Sequence, residues 1–360
     1  MMERVLHVYP QMKSAGTEAV IMNLYRNIDR EKVQFDLLVM TEGESDERFR
    51  ALGANVHYLP KTKKYKRDLV AFFKAHPEYK TVHTHTHREM GIVLGAAKRA
   101  GVPIRIAHSH NSRSDLPKLM KLYKLVSGWE MESSATHFLA CSREAAEWLF
   151  PRKHRRAAVW NNAIDLDAFR FDPESREKYR AMLGIPAGAK VIAHVGRFAD
   201  QKNHRFLIKL LNRLTETDES VYAILVGDGP LFDEIRAEAK SERILFLGQR
   251  SDVPALLSAA DVFPFPSNYE GLGIVAVEAQ ASGLFCLASL GVPAAADVGI
   301  GLFERLPLTE GEEAWCDRIR AALDSADSDK RAEHSAMAFD TDYNIHKVAK
   351  MAEDFYLSHR

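Results

Sequence analysis

The sequence has few cysteines, only Cys141, Cys286 and Cys316, and it contains no C-x-x-C pair. An odd number of widely spaced cysteines is typical of reduced thiols and disfavours a disulfide framework. No run approaches the roughly 18 consecutive apolar residues of a membrane-spanning helix. A signal peptide is not expected either, because acidic Glu3 stands where basic residues are required. These absences exclude a disulfide-stapled fold and predict a soluble protein of the cytoplasm.

The chain has no net charge, because 49 Lys and Arg residues balance 49 Asp and Glu residues. The two halves differ, since residues 1–160 contain 27 basic and 17 acidic residues and carry +10, which leaves −10 for the remainder. A basic half can attract phosphates, nucleic acid or an anionic membrane surface, and charge alone does not decide among them.

Short apolar runs of the β type alternate with stretches of helical period along the whole chain. They lie at residues 4–9, 33–40, 55–60, 81–85, 104–110, 136–141, 158–161, 190–196, 221–227, 243–248, 261–266 and 284–289. The polar and helix-poor segment 161–175 separates the first seven runs from the last five. This repetition predicts parallel sheets with helices on both faces, so we expect two doubly wound α/β domains.

The chain length also agrees with two domains at about 150 residues each. We expect the first domain to cover residues 1–162 and the second to cover residues 163–343. Residues 344–360 have helical spacing, and we expect this helix to pack back on the first domain. Its apolar positions are Ile345, Val348, Met351 and Phe355.

Ligands of doubly wound sheets bind at the carboxyl ends of the strands, so two such domains predict a cleft for a ligand with two dissimilar parts. Dehydrogenases, epimerases, periplasmic binding proteins and glycosyltransferases share such an architecture, so the site residues must decide the function. A dinucleotide-binding G-x-G-x-x-G is absent after the first strand, which disfavours an oxidoreductase.

The turn after the first strand contains Gly16, and Thr17 and Glu18 follow at the start of a helix. Glycine has no Cβ and helix N-terminal amides favour anions, so this turn can approach a phosphate closely. An ordinary βα loop explains the same residues equally well.

A second loop follows the run 190–196 and carries Arg197 and Lys202. Arginine binds two phosphate oxygens at once and lysine adds a mobile charge, so the pair suits a diphosphate and can neutralise a leaving group. A solvated loop with two surface cations is the alternative.

The most specific stretch is residues 266–283, where Glu270 precedes a helix and Glu278 lies eight residues further on. The residues at the helix start are Gly271, Leu272 and Gly273. Their amides can contact a sugar or a phosphate, and carboxylates accept hydrogen bonds from sugar hydroxyls. Helix rows repeat at i+4, so we expect Glu278 to reach a ligand held over the helix N-terminus. Two solvated glutamates are the alternative, but apolar residues flank Glu278 on both sides.

Together these motifs resemble the family 4 retaining glycosyltransferases of GT-B fold. The resemblance rests on the G-T-E turn, on G-R-F-x-x-Q-K-N from Gly196, on V-G-D-G-P at 226–230, and on F-P-S-x-x-E-G-L-G with E-x7-E from Phe265. It covers nearly the whole chain. The stretch V-E-A-Q-A-S-G-L, with V-P at 292–293, is most similar to bacterial exopolysaccharide and capsule glycosyltransferases within that family.

The resemblance implies two Rossmann-like domains that face each other across a cleft, with the acceptor on the N-terminal side and the nucleotide sugar on the C-terminal side. It implies that Gly16 contacts the donor diphosphate from one side and that Arg197 and Lys202 bind it from the other. Glu270 would bind hydroxyls of the transferred sugar and Glu278 those of the ribose. The amides after Glu270 would contact the sugar and the β-phosphate.

By the same resemblance, His110 matches the family histidine that faces the donor sugar at the reacting centre, and Arg250 would lie beside the base. Family members usually retain the anomeric configuration and need no metal. We therefore expect no cofactor, a nucleotide diphosphate sugar as the donor, and a glycan or polyprenyl-linked acceptor. No nucleic acid is expected as a partner.

Two turns depart from the family pattern. The usual G-G before the acidic residue is Ala-Gly at 15–16, and the usual P-N-G-[IV]-D is N-N-A-I-D at 161–165. Alanine resists positive φ, so these turns can differ in shape, but no charged side chain of the site is lost.

Histidines recur at alternating positions, with His83, His85 and His87 on one strand and His108 and His110 on another, so each set faces one side. Imidazoles bind zinc, but catalytic zinc sites also use carboxylates to hold the ligands, and no acidic residue interrupts either run. We therefore expect no metal and interpret His85 and His110 as residues that line the cleft.

The run 114–130 places Lys118, Lys121 and Lys124 at three-residue spacing among apolar residues. Other basic segments are residues 61–67 and 152–156. Together they could dock the basic half on anionic lipid at the inner face of the membrane. An ordinary helix whose apolar face packs inward explains the run 114–130 equally well.

The sequence therefore predicts a retaining glycosyltransferase that moves a sugar from a UDP-sugar to a lipid-linked glycan in exopolysaccharide or capsule biosynthesis. No pair of carboxylates at glycosidase spacing can be assigned. Two alternatives stay open. A nucleotide-sugar 2-epimerase of the same architecture would need no acceptor, and a non-catalytic nucleotide-sugar-binding subunit would bind the donor without turnover.

Overall fold

The computed structural model of the chain describes residues 2–12, 17–86, 89–110 and 128–359. The chain divides into two compact units, of which the first comprises Met1–Ile164 with Ile345–Arg360 and the second comprises Asp165–Asn344. Each unit is built around one sheet of parallel strands.

The first unit contains a seven-stranded sheet in the order β3-β2-β1-β4-β5-β6-β7. Its strands are β1 (Glu3–Tyr9), β2 (Val33–Val39), β3 (Val56–Tyr58), β4 (Thr81–Thr84), β5 (Ile104–Ser109), β6 (His137–Ala140) and β7 (Ala157–Val159). The chain progresses outward in one direction from β1 and in the other direction from β4. Ligands of such sheets bind beside this switch, at the carboxyl ends of the two central strands.

Helices cover both faces of this sheet. They are Thr17–Asn27, Asp46–Ala51, Tyr65–Ala75, Met90–Arg99, Arg143–Leu149 and Ile345–Ser358, and residues 128–134 are also helical. In the last helix Ile345, Ala349 and Tyr356 are buried against the sheet, whereas Met351 is 41% exposed. Met351 is exposed because its position lies off the row of residues that faces the core.

The second unit contains a six-stranded sheet in the order β10-β9-β8-β11-β12-β13. Its strands are β8 (Lys190–Val195), β9 (Val221–Val226), β10 (Ile244–Phe246), β11 (Val262–Phe265), β12 (Phe285–Ala288) and β13 (Phe303–Arg305). Its helices are Pro173–Met182, His204–Thr217, Phe232–Ala237, Val253–Ala259, Ile274–Ala281, Gly311–Asp324 and Ser328–Ala338. Two buried apolar clusters, one on each face, pack these helices on the sheet.

All twelve apolar runs are strands, and the two parallel sheets confirm the α/β fold class. The sequence missed β13, because its three residues are only half-buried and include two charged side chains. The segment 161–175 was expected to lack helix, yet a helix begins at Pro173. The Asp172 side chain caps it by accepting a hydrogen bond from the amide of Glu174 at 3.0 Å, and proline is well suited to a first helical turn.

The three cysteines are buried and carry free thiols, as expected. Within the described ranges, no helix combines the length and the apolar character that a membrane crossing would require. The interpretation of Lys118, Lys121 and Lys124 as a membrane-facing row falls outside the described residues.

Candidate active site

The second unit brings Lys202 and Glu270 together. Lys202 ends a short 3-10 turn, Asp200–Lys202, which follows β8. Its Nζ lies 2.7 Å from Oε1 of Glu270, and Nε2 of Gln201 donates to Oε2 of the same carboxylate at 3.3 Å. The Lys202 and Glu270 side chains are 15% and 6% exposed, so water screens this ion pair only weakly.

Hydrogen bonds between two loops set the position of this pair. The amide of Asn268 donates to the carbonyl of Gln201 at 2.8 Å, and its side chain donates to the carbonyl of Asp200 at 2.7 Å. The side chain of Asn203 returns a hydrogen bond to the carbonyl of Pro266 at 3.1 Å. Because backbone groups make these contacts, the loop after β8 and the loop after β11 are held side by side.

The helix that begins at Ile274 presents its N-terminus beside Glu270. Gly273 precedes it with φ of 83°, a conformation that residues with a Cβ rarely adopt. A Cβ at this position would also lie 2.9 Å from the Phe265 ring, so the turn requires glycine. The amides of Gly271, Leu272 and Gly273 make no hydrogen bond to another described residue. They are therefore available to an anion or a sugar oxygen.

Glu278 lies on this helix, one turn beyond Ile274. Burial raises the pKa of its carboxyl from the usual 4.5 to about 7, and the nearby positive charge of Lys202 limits the rise. The side chain makes no hydrogen bond or ion pair to another residue in the part of the chain that the structure describes. Glu278 is half-buried, and a carboxyl in such a place with none of these partners favours a ligand with hydroxyl donors.

The two arginines expected at this site differ. Arg197 follows β8, is exposed, and forms no ion pair within the described ranges, so its guanidinium is accessible to a phosphate. Arg250 binds Asp252 through two hydrogen bonds of 2.8 and 2.5 Å, which lower the pKa of that carboxyl to about 2. The structure places neither arginine in contact with the pair of Lys202 and Glu270.

In the first unit, Gly16 lies outside the described residues, but the helix expected after it begins at Thr17. Glu18 is buried in its first turn. Burial and the neighbouring Glu18 charge raise the pKa of Tyr9 to about 12, so this tyrosine remains a neutral hydrogen-bonding group.

His110 follows β5 directly, and its ring is only 4% exposed. His85, which follows β4, is 2% exposed, and its Nδ1 lies 2.8 Å from Nε2 of His110. The two rings contact each other just after β4 and β5, and their interpretation as residues that line the cleft stays a prediction. His7 on β1 joins them and was missed, since a single histidine within a strand carries no pattern.

Two groups of histidines could supply metal ligands. They are His7, His83 and His85, and His85, His108 and His110, with all ligand atoms of a group within 4.8 Å. No carboxylate belongs to either group among the described residues, and His87 lies outside these residues.

Comparisons with known proteins identify the family of the chain. Residues 14–168 match the model of Glycosyltransferase Family 4, and residues 175–338 match the model of Glycosyl transferases group 1. The chain is 37% identical over 336 residues to the glycosyltransferase EpsF of Bacillus subtilis (strain 168), covering 89% of this chain and 88% of that protein.

Two further relatives extend the comparison. The UDP-Gal:alpha-D-GlcNAc-diphosphoundecaprenol alpha-1,3-galactosyltransferase of Escherichia coli is 27% identical over 311 residues, covering 79% of each chain. The crystal structure of Anabaena HepE in complex with UDP matches 99% of this chain and 100% of its own with a TM-score of 0.82 at 19% identity. The fold is thus GT-B. The chain belongs to the family 4 type of group 1 glycosyltransferases and is a transferase enzyme.

Proposed function

We propose that the protein is a retaining glycosyltransferase that moves a sugar from a UDP-sugar to a lipid-linked glycan in exopolysaccharide or capsule biosynthesis. The observation that carries the proposal is the arrangement in the second unit, where a half-buried lysine, two glutamates and an open helix N-terminus lie together. Positive charge, carboxylates and bare amides are the groups that a sugar diphosphate requires.

In this proposal Arg197 and Lys202 bind the diphosphate, and the amides of residues 271–273 bind the β-phosphate and the sugar. Glu278 accepts hydrogen bonds from the ribose hydroxyls, and Glu270 accepts them from the transferred sugar. Gly16 contacts the diphosphate, His110 contacts the sugar, and Arg250 lies beside the base. The UDP in the HepE structure supports this choice of nucleotide, because that protein shares the fold.

The transfer step needs little covalent help from the protein. The acceptor hydroxyl oxygen bonds to the anomeric carbon on the face from which the diphosphate departs. The bond from that carbon to the diphosphate oxygen breaks with its electron pair, and the acceptor proton passes to the departing diphosphate. Arg197, Lys202 and the helix amides stabilise the negative charge, so we propose that no metal ion or other cofactor is needed.

The acceptor is proposed from the relatives and from the surface charge. The Escherichia coli relative is named for a diphosphoundecaprenol acceptor. In the first unit Lys63, Lys64 and Arg155 are exposed and form no ion pair with another described residue. Such cations favour an anionic membrane surface at the inner leaflet, where a lipid-linked acceptor would lie.

The test incubates the purified protein with a panel of nucleotide sugars, with and without membrane lipid extract, and follows released nucleotide and product mass. The proposal expects UDP release only with the extract, a lipid product heavier by one sugar, and an anomeric configuration equal to that of the donor. Conversion of the nucleotide sugar without an acceptor would indicate the 2-epimerase. Tight binding without turnover on any acceptor would indicate the non-catalytic subunit.

A further inference from the structure

A cavity of about 190 Å³ opens in the second unit at the amino ends of three strands. Asp261 directly precedes β11, Gly283 lies just before β12, and Leu302 directly precedes β13, and all three residues line the cavity. The loops of the candidate active site follow the carboxyl ends of β8 and β11. Because the strands of this sheet are parallel, the cavity and the candidate active site lie at opposite edges of the sheet. The proposed function therefore does not use this cavity.

The ionisable side chains that line the cavity are mostly basic. The basic ones are Arg176, Arg318, Lys330, Arg331 and His334, and the acidic ones are Asp261 and Asp327. The four lysines and arginines outnumber the two aspartates. Such an excess of positive charge attracts anions.

One of these arginines has a structural role that explains it completely. Arg331 is 6% exposed and donates to four backbone carbonyls and to the hydroxyl of Ser282, which uses all five of its N–H groups. Three of the carbonyls lie at the end of helix Val253–Ala259, where carbonyl groups lack partners within the helix. Arg331 therefore stabilises the end of this helix and has no donor left for a ligand.

The positive charge around Arg331 is only partly compensated. The carboxylate of Asp261 binds Arg176 at 2.5 Å and Arg180 at 2.8 Å, so three guanidinium groups lie around one carboxylate. Burial lowers the pKa of the Arg331 guanidinium well below its usual range, repulsion from Arg176 and Arg180 adds to this effect, and Asp261 opposes it. An anion in the cavity would reduce the repulsion among these arginines.

Arg176 keeps a donor that no other described residue uses. Its Nη1 donates to the carbonyl of Ala260 at 2.8 Å and its Nη2 to the carboxylate of Asp261, whereas its Nε makes no hydrogen bond within the described ranges. These contacts fix the guanidinium group before a ligand arrives. The binding of a ligand therefore costs little side-chain entropy.

Arg318 is held in the same way. Its Nε and Nη2 lie 2.8 and 2.7 Å from the carboxylate of Glu304, and its guanidinium lies 4.8 Å from the centre of the Phe285 ring. Its Nη1 makes no hydrogen bond to any other residue that the structure describes. Lys330 is exposed and forms no ion pair in the same part of the chain, so its ammonium group is also accessible.

We propose that this cavity binds one small oxyanion, a phosphate group, through the remaining N–H groups of Arg176 and Arg318 and the ammonium group of Lys330. Guanidinium groups match the oxygens of a phosphate, and lysine adds a mobile positive charge. The cavity is large enough, because a water molecule needs only about 10 to 15 Å³ of such space. This inference does not depend on the proposed function. If it is wrong, the arginines serve only the helix end and the ion pairs already described.

Isothermal titration calorimetry with inorganic phosphate tests the cavity, with chloride used to keep the ionic strength constant. Saturating UDP is present, so that phosphate cannot bind at the donor site of the proposed function. The variants are Arg318→Gln and Lys330→Gln. Arg320→Gln is the matched control for the first, because Arg320 lies on the same helix, binds Asp317 at 2.8 Å and does not line the cavity. Lys240→Gln, which changes another exposed lysine of this unit, is the control for the second.

We expect the wild type to bind one phosphate per chain while UDP is present. Arg318→Gln should weaken this binding at least about tenfold, because it removes a charge-assisted contact. Lys330→Gln should weaken it about two- to fivefold, since an exposed ion pair contributes less. Both controls should keep the affinity of the wild type. Phosphate should also raise the Tm of the wild type more than that of Arg318→Gln.

Lys202→Ala separates the two sites without relying on UDP, and we expect it to bind phosphate as the wild type does. If phosphate affinity were lost in Lys202→Ala, or if UDP prevented all phosphate binding, the anion would bind at the candidate active site and the inference would be overturned. Wild type without saturable phosphate binding would overturn it as well. An unchanged phosphate affinity in both Arg318→Gln and the fully exposed Lys330→Gln would do the same, because Lys330→Gln removes no packing contact.

Discussion

Lys202 and Glu270 are paired with each other, with Nζ 2.7 Å from Oε1, although the proposed function gives each of them a different part of the donor. The donor diphosphate must therefore replace Glu270 as the ionic partner of Lys202. Once the lysine is engaged, Glu270 can turn its oxygens to the sugar hydroxyls. The pair keeps two opposite charges compensated in a site that is largely closed to water before the donor arrives.

Lys202→Ala should weaken UDP binding by about 10- to 150-fold, because a charge-assisted contact to a diphosphate contributes about 1.5 to 3 kcal/mol. It should also lower the Tm, because Glu270 is left buried and without its cation. Arg197→Ala should weaken UDP binding to a similar degree without a change in Tm, since Arg197 is exposed and has no ion pair among the described residues. Calorimetry and thermal melts test both; unchanged UDP affinity in both variants would refute the diphosphate site.

Glu270→Gln should separate binding from transfer. A neutral amide competes less well with the diphosphate for Lys202, so UDP affinity should equal or exceed that of the wild type. The transfer rate should fall, because the transferred sugar loses a charged acceptor for its hydroxyls. Calorimetry with UDP and the transfer assay measure the two effects. Weaker UDP binding with an intact transfer rate would reverse the assignment of the two glutamates.

The strands and the acidic motif were predictable from the sequence because their signals are local. Twelve apolar runs of strand type and the spacing of Glu270 and Glu278 are visible without any tertiary contact. The ion pair of Lys202 and Glu270 was not predictable, because it depends on hydrogen bonds between loops that lie 68 residues apart. His7 was missed for the same reason, since its partners arrive from β4 and β5. β13 has no apolar run at all.

UDP binding should tighten as the pH rises through 7, because burial raises the pKa of Glu278 to about 7 and the ribose hydroxyls favour the ionised carboxylate. If the ribose returns the pKa to its usual value, affinity should be about tenfold lower at pH 6 than at pH 8. Protonation of the terminal phosphate of UDP adds its own dependence. Glu278→Gln is therefore the control. The UDP affinity of this variant should depend less on pH, and the difference from the wild type gives the contribution of the Glu278 carboxylate.

The raised pKa of Glu278 should also make the free energy of unfolding depend on pH. The folded state holds the Glu278 proton more tightly than the unfolded state, whose carboxyl titrates near the usual 4.5. The free energy of unfolding contributed by this group is therefore fully present below about pH 4.5 and is lost as the pH rises toward 7. Glu278→Gln should remove this loss in denaturant titrations. If the free energy of unfolding depended on pH equally in the wild type and in Glu278→Gln, the pKa of Glu278 would not be raised in the folded protein.

Vesicles that contain anionic lipid should sediment the protein at low salt, because each basic residue near such a surface contributes about 1 kcal/mol. Changing Lys118, Lys121 and Lys124 together to Glu should abolish the effect if this row faces the membrane. The matched control changes three exposed lysines of the acidic half to Glu, namely Lys209, Lys240 and Lys330. If sedimentation did not depend on the lipid charge, or if the variant of Lys118, Lys121 and Lys124 still sedimented with the vesicles, this surface would be excluded as a membrane contact.

The transfer reaction should not depend on a metal ion. If Arg197, Lys202 and the amides of residues 271–273 neutralise the departing diphosphate, EDTA should leave the transfer rate within about twofold, a barrier change under roughly 0.5 kcal/mol. If the buried histidines instead hold a catalytic metal, EDTA should extinguish turnover and zinc or manganese should restore it.

His110→Ala distinguishes these two mechanisms further. We expect it to slow transfer without releasing any metal, because its ring contacts His85 directly at 2.8 Å and is assigned to the donor sugar. Elemental analysis of the wild type and the variant measures the bound metal. Tyr356→Phe is the control for a general disturbance of the histidines, because the Tyr356 hydroxyl lies 2.8 Å from Nδ1 of His83. A metal mechanism would be established if the wild type held stoichiometric zinc, if His110→Ala lost both the zinc and the activity, and if Tyr356→Phe kept the zinc. Loss from His110→Ala alone would show that His110 is a zinc ligand, because general damage to the histidines would release the zinc from both variants.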